Sequence, residues 1–329
     1  MSLIRKVFAK VRNPAQFGLT IVAFNYICSK IIKMETIRPN SFKAWLLASR
    51  PKTLTAAAIP VMIGCSLAAT HGSFQPVPAI LCFLFAFIMQ INANYINDLY
   101  DYLKGSDRED RLGPMRACAQ GWITPPEMKK GIIIASILAG CCGCCLLFYS
   151  GPIMIPIGIA CLIFAFLYTT GPYPLAYHGW GDVLVMIFFG FVPVGCTFYV
   201  MNHDWNTSTT IASIISGLVI DTLLMVNNFR DREQDKISGK KTIIVRFGAR
   251  SGPILYFLLG LIACWLCFYF ITQGKLFTVI LPQFYLIPHI ITTVKMVRIH
   301  QGKELNKILG ETSRNMFLFG VLLSLGLLV

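Results

Sequence analysis

The stretch 78–107 reads PAILCFLFAFIMQINANYINDLYDYLKGSD. Residues 78–97 contain no charged side chain and are almost wholly apolar. As a helix, about 20 such residues match the hydrocarbon thickness of a bilayer. The text then turns abruptly acidic, with Asn97, Asp98, Asp101 and Asp107 in quick succession. Working outward, similar apolar blocks occupy 53–70, 130–149, 152–170, 181–200, 209–228, 252–271, 276–294 and 312–329, each bounded by Pro, Gly or charge. The whole chain of 329 residues is 55% hydrophobic and only 13% charged, with a mean hydropathy of +0.64. That is too little charge to clothe a water-soluble fold of this size. Period-two alternation is missing, and only helices or closed barrels satisfy a backbone in lipid. The expected fold is an all-α integral membrane bundle of nine transmembrane helices.

The basic residues orient this bundle. With a cytoplasmic N-terminus, 28 of the 29 Lys and Arg fall on the cytoplasmic side, and only Lys275 lies outside. So strong a bias matches the rule that basic loops stay in the cytoplasm. It also accounts for the net charge of +14 through topology and anionic lipid headgroups, so no nucleic-acid partner is needed. The expected setting is a bacterial cytoplasmic (inner) membrane. Residues 1–40 form a basic extension carrying Arg5, Lys6, Lys10 and Arg12, expected as an interfacial helix because Asn25 and Lys30 interrupt its apolar run. Residues 41–329 form the nine-span domain. Ten of the twelve cysteines fall inside spans. They read as small apolar packing residues rather than metal ligands or disulfides.

The acidic residues are few and clustered. The first cluster closes the second span with Asn94, Asn97, Asp98, Asp101 and Asp107; the second closes the sixth span with Asn227, Asn228, Asp231, Glu233 and Asp235. An even number of crossings separates them, so both open on the cytoplasmic side. Helix C-termini disfavour anions, which makes solvated loop charge a poor explanation. Asp98 and Asp101 are three apart and Asp231 and Asp235 four apart, so each pair shares a helix face. Oxygen-only ligands suit a hard cation, Mg²⁺ above all, which one or two carboxylates hold together with substrate phosphates. Lys104, Arg111, Arg230 and Lys240 are interleaved with the acids and suit the remaining phosphate charge. Gly105 and Gly239 follow at similar offsets, suiting a tight turn after each helix. A Mg²⁺ clamp beside an apolar bundle fits a substrate that is half lipid and half diphosphate, such as a polyprenyl diphosphate.

Asn97-Asp98-Leu99-Tyr100-Asp101 with Asp107, and Asn227-Asn228-Phe229-Arg230-Asp231 with Asp235, resemble the two aspartate motifs of the UbiA-type intramembrane prenyltransferase family. Three further stretches are similar to the family's 1,4-dihydroxy-2-naphthoate polyprenyltransferase (menaquinone) branch: Ser49-Arg50-Pro51-Lys52-Thr53, Arg111-Leu112-Gly113-Pro114-Met115-Arg116, and Tyr168-Thr169-Thr170-Gly171-Pro172 with Tyr177-His178-Gly179-Trp180-Gly181-Asp182. The resemblance implies a Mg²⁺-dependent aromatic prenyltransferase in which a polyprenyl group replaces the naphthoate carboxylate, giving demethylmenaquinone and diphosphate. It implies one metal at Asp98, Asp101 and Asp107, assisted by Asn94 or Asn97. It implies a second at Asp231 and Asp235, assisted by Asn228. Tyr168 joins the aspartates as a catalytic candidate, and Lys104, Arg111, Arg230 and Lys240 would meet the diphosphate. Arg50, Lys52 and His178 are the candidates for the aromatic acceptor. The alternatives are another acceptor such as 4-hydroxybenzoate or, from a different class, a membrane transporter. Transporters, however, usually place intramembrane charge near the midplane.

Overall fold

The computed structural model describes residues 37–105 and 111–329. The expected interfacial helix within 1–36, and Asp107, therefore lie outside the described residues. Among the described residues every regular element is helical. We label the principal helices α1 Phe42–Ala48, α2 Leu54–Thr70, α3 Pro76–Leu103, α4 Pro125–Ser150 and α5 Met154–Leu167. They continue with α6 Gly181–Asn202, α7 Thr207–Ile237, α8 Ser251–Gln273, α9 Leu276–Ile299 and α10 Leu305–Leu328. Of these, α3, α4, α6, α7, α8 and α9 are long and apolar enough to cross a membrane, while α2 and α5 are apolar but shorter. The chain is a multi-pass integral membrane protein.

The helix starts follow local chemistry. Pro76 opens α3 and Pro125 opens α4, where a missing N–H removes a donor that has no helical partner anyway. Asn206 caps α7 by accepting from the Thr209 amide at 2.9 Å. Helix α7 is the central element: Ile215, Val219 and Ile220 pack with Ile59, Ile63 and Leu67 of α2, Phe198 of α6 and Phe319 and Leu323 of α10. Close approach relies on small residues, as helix packing in lipid requires. A Cβ on Gly190 would stand 2.5 Å from the Ser213 carbonyl oxygen, and one on Gly217 would stand 2.7 Å from Met186 Sδ.

Two features depart from the apolar pattern. Helices α3 and α7 do not stop where their apolar runs end at 97 and 228; they continue to Leu103 and Ile237, so Asp98, Asp101, Asp231 and Asp235 remain helical. The reason is compensation: buried amides and cations meet the acids and offset the unfavourable helix dipole. Helix α6 widens into π-helical geometry over Met186–Gly195. The Ser216 hydroxyl of α7 donates to the Phe189 carbonyl at 2.8 Å, satisfying a backbone group that the wider turn leaves exposed to an apolar surrounding. The described cysteines are all free, and Cys264 and Cys267 pack in the core around α7.

Candidate active site

The N-terminal ends of α2 and α6 and the C-terminal parts of α3, α5 and α7 surround one end of a cavity of ≈ 540 Å³, within the range of small-molecule sites. Arg50, Thr53, Asn94, Asn97, Tyr168 and Asn227 line that polar end. Away from it the wall is apolar and aromatic, with Phe85, Phe164, Phe188, Phe189 and Val192 among the lining residues. Phe164 and Phe188 meet across the space, ring centroids 5.4 Å apart. Gly140 and Gly158 also line it, and a Cβ built on either would meet open space.

The first cluster divides its labour. Asp101 is buried and accepts from Arg116 Nη2 at 2.9 Å. Lys240, Arg111, Arg50 and Lys104 lie within electrostatic reach of the same carboxylate. Asp98 is 1% exposed, and its two oxygens accept the backbone amides of Ala117 at 2.9 Å and Cys118 at 2.8 Å. The helical spacing of Asp98 and Asp101 does place them on one face, but a turn of protein covers that face. Asn94 donates to the Ser49 carbonyl at 3.0 Å and Thr53 Oγ1 at 3.1 Å. It therefore braces the Arg50 turn, in which Arg50 adopts a left-handed backbone at φ 51° and ψ 69°. Asn97 accepts from the Thr169 hydroxyl.

The second cluster is arranged alike. Arg230 embraces Asp231, with Nε 2.8 Å from Oδ1 and Nη2 2.6 Å from Oδ2, a geometry that only the guanidinium fork provides. Asp235 is buried and meets Lys240 Nζ at 3.4 Å. Burial alone would lower the Lys240 pKa, but the carboxylates of Asp235 and Asp101 outweigh it and raise it above the ordinary lysine value. Lys240 thus stands as a cation between the two clusters. Asn227 lines the cavity and Asn228 is not among its lining residues. Asn227 precedes Asp231 by four residues, as Asn97 precedes Asp101, so the two motifs present matching faces. Gly105 at φ 67° and Gly239 at φ 77° turn the chain after each cluster in the left-handed region.

The loop after α5 joins the clusters. Lys104 donates to the Thr169 carbonyl, and the Lys104 and Lys240 ammonium groups lie 5.2 Å and 5.0 Å from the Tyr177 ring centroid. Tyr168 has its hydroxyl within electrostatic reach of Lys240, Asp182, Asp101 and Asp235. His178, expected to meet the acceptor, is held within its own loop. It hydrogen-bonds the Pro174 carbonyl at 2.9 Å through Nδ1 and stacks on Tyr173, which makes it a brace of its own loop. Lys52 falls in the turn Pro51–Thr53; its side chain lies outside the described residues. Sequence reasoning gives Arg116 and Asn306 no role at the site, and Asn227 stands in the second cluster while the assisting role goes to Asn228. Of these only Asn227 had a visible signal, its spacing of four from Asp231.

Fold and cavity together define a helical membrane protein with an apolar chamber whose polar end is lined by Arg50, Asn94, Asn97, Tyr168 and Asn227. The UbiA prenyltransferase family model matches residues 57–321, and the chain belongs to that family. A 1,4-dihydroxy-2-naphthoate octaprenyltransferase of Haemophilus influenzae is 35% identical over 309 residues, covering 87% of this chain and 96% of the relative. The Bacillus subtilis protein of the same name is 28% identical, covering 87% of this chain and 92% of its own. A solved UbiA homologue from Archaeoglobus fulgidus, bound to GPP and Mg²⁺, shares the fold. Its TM-score is 0.64 at 17% identity, over 87% of this chain and 99% of that one.

Proposed function

We propose that this chain transfers a polyprenyl group from a polyprenyl diphosphate to 1,4-dihydroxy-2-naphthoate. The relatives so named across nearly their full length support the acceptor. The observation that carries the reading here is the chamber itself. A long apolar wall runs into Asn97, Tyr168 and Asn227, beside the paired carboxylates that follow on α3 and α7. The nine-crossing topology with a cytoplasmic N-terminus rests on the placement of 28 of 29 basic residues. It puts both clusters on the cytoplasmic face of a bacterial inner membrane.

The donor set suits Mg²⁺. Asp101, Asp231 and Asp235 offer carboxylate oxygens; among the described residues no three His, Cys, Asp or Glu side chains gather as a metal-binding group, so each ion would be held by one or two carboxylates with substrate phosphates completing its shell. Asp101 and Asp107 with Asn97 would hold one ion, and Asp231 and Asp235 with Asn227 or Asn228 the other. When bound, Mg²⁺ neutralises the diphosphate as it leaves. Lys104, Arg111, Arg230 and Lys240 take up the phosphate oxygens, exchanging part of their present carboxylate pairing for them. The C1–O bond breaks with its electron pair going to diphosphate, and the allylic cation faces Tyr168, Phe164 and Phe188, which exclude water and offer ring faces. Arg50 holds the acceptor carboxylate near the polar end. The ring carbon bearing that carboxylate bonds to C1. Carbon dioxide then departs, leaving its bonding electrons to restore the aromatic ring.

An acceptor-competition assay tests this reading. Membranes containing the chain, given a polyprenyl diphosphate and equal amounts of 1,4-dihydroxy-2-naphthoate and 4-hydroxybenzoate, should prenylate the naphthoate and release carbon dioxide. Preferential prenylation of 4-hydroxybenzoate would overturn the acceptor. Failure to consume any allylic diphosphate would overturn the reaction class and favour a transporter.

A further inference from the structure

Residues 111–118 form a strap between the two aspartate clusters. At one end the Leu112 carbonyl accepts from Asn306 Nδ2 at 2.8 Å, and Asn306 Oδ1 accepts from Arg230 Nη1 at 2.9 Å. Arg230 in turn holds Asp231. At this end the fit is close: a Cβ on Gly113 would stand 2.9 Å from Arg230 Nη2. At the other end Asp98 receives the amides of Ala117 and Cys118, and the preceding Arg116 donates to Asp101. Ala117, Cys118 and Ile123 then bury against Ile96 and Leu99 of α3.

We propose that Asp98 is a positioning residue that anchors this strap, and that the cation of the first cluster is held by the other acids of the motif. The inference deepens the prenyl-transfer reading and rests on it. Both Asp98 oxygens already accept a backbone N–H at normal length, and the group is sealed from solvent. Turning it toward a cation would leave two buried amides without partners, a costly exchange. The neighbouring Asp101 faces Lys240, Arg111, Arg50 and Lys104 instead, the charge environment suited to diphosphate. By fixing the 117–118 turn, Asp98 sets Arg116 on Asp101 and delivers Arg111 to the same carboxylate. It thereby orients the first cluster without touching the substrate.

The test compares Asp98→Asn with Asp101→Asn in the full chain reconstituted in lipid nanodiscs. Without substrate, amide exchange in 115–120 should accelerate at least about tenfold in Asp98→Asn, because one amide then faces an NH₂ group. Its KM for prenyl diphosphate should rise about tenfold with the Mg²⁺ half-saturation point unmoved, whereas Asp101→Asn should shift that point. Asn306→Leu cuts the strap at its far end and should reproduce the KM effect with exchange faster in 111–114; it decides the matter if Asp98→Asn does not accumulate. A Mg²⁺ shift in Asp98→Asn equal to that of Asp101→Asn, with exchange unchanged, would make Asp98 a ligand and overturn the proposal. Faster exchange with unaltered kinetics in both strap variants would also overturn it. A wild-type chain that transfers no prenyl group would instead sink the reaction reading, while the substrate-free exchange still reports on the anchor.

Discussion

Arg116 and Asp101 form an ion pair 2.9 Å long whose side chains are only 8% and 12% exposed. Removing one partner of so buried a pair strands the other charge, at a cost of about 3–5 kcal/mol. Arg116→Ala should therefore lower the midpoint of thermal unfolding in detergent markedly. The double variant Arg116→Ala/Asp101→Ala should lose much less than the sum of the two single losses. Additive losses would mean that the pair does not interact in solution.

At the second cluster the change to the amide is the informative one. Asp231 retains 23% side-chain exposure and is paired with an Arg230 that also bonds Asn306. Asp231→Asn keeps an amide oxygen as acceptor for Arg230, whose side chain is only 2% exposed, so it should leave membrane insertion intact and cost less stability than Asp231→Ala while cutting prenyl transfer by at least about 100-fold. For Asp101 the informative change is to Asn, which keeps the shape and should produce a loss of the same order. Radiolabelled prenyl transfer in membranes, with blotting for protein level, measures both. Wild-type-like turnover in either variant would remove that residue from the reaction.

The bundle was legible from the apolar runs because span length and basic-loop bias are local properties. Both aspartate clusters stood out for a similar reason: anions at helix ends demand a partner. What those partners are was hidden. Asp98 bonds amides 19 and 20 residues further on, and Asn306 reaches Leu112 across 194 residues. No helical periodicity distinguishes an acid that binds an ion from one that caps a turn. The stack of His178 on Tyr173 was equally invisible in the sequence. The extension of α3 and α7 beyond their apolar runs likewise depended on compensation by distant cations.

Arg50 holds a left-handed backbone at φ 51°, which ordinarily costs a non-glycine residue about 1 kcal/mol or more. Asn94 and the Thr53 hydroxyl maintain the turn, since Thr53 Oγ1 donates to the Arg50 carbonyl at 2.9 Å. If the side chain is kept there for the acceptor carboxylate, Arg50→Gly should preserve or slightly raise thermal stability. It should also raise the acceptor KM about 10- to 100-fold, the loss of one charge-assisted pair. Inhibition by a naphthol lacking the carboxylate should be unchanged. Equal weakening of both compounds would show that Arg50 shapes the cavity rather than reading the carboxylate.

Gly140 of α4 and Gly158 of α5 line the apolar part of the chamber with open space where a side chain would grow. Cys144 and Ile159 on the same two helices line it too and are exposed, so protein does not fully close that side. A polyprenyl tail longer than the chamber would leave between these helices. Gly158→Phe, or Gly140→Phe, should then shorten the longest diphosphate used well, leaving kcat/KM for a short donor such as geranyl diphosphate within about threefold while that for a long one falls about tenfold or more. The comparison is a donor-length series on one membrane preparation. If all lengths decline together, the glycines serve helix packing and the tail runs elsewhere.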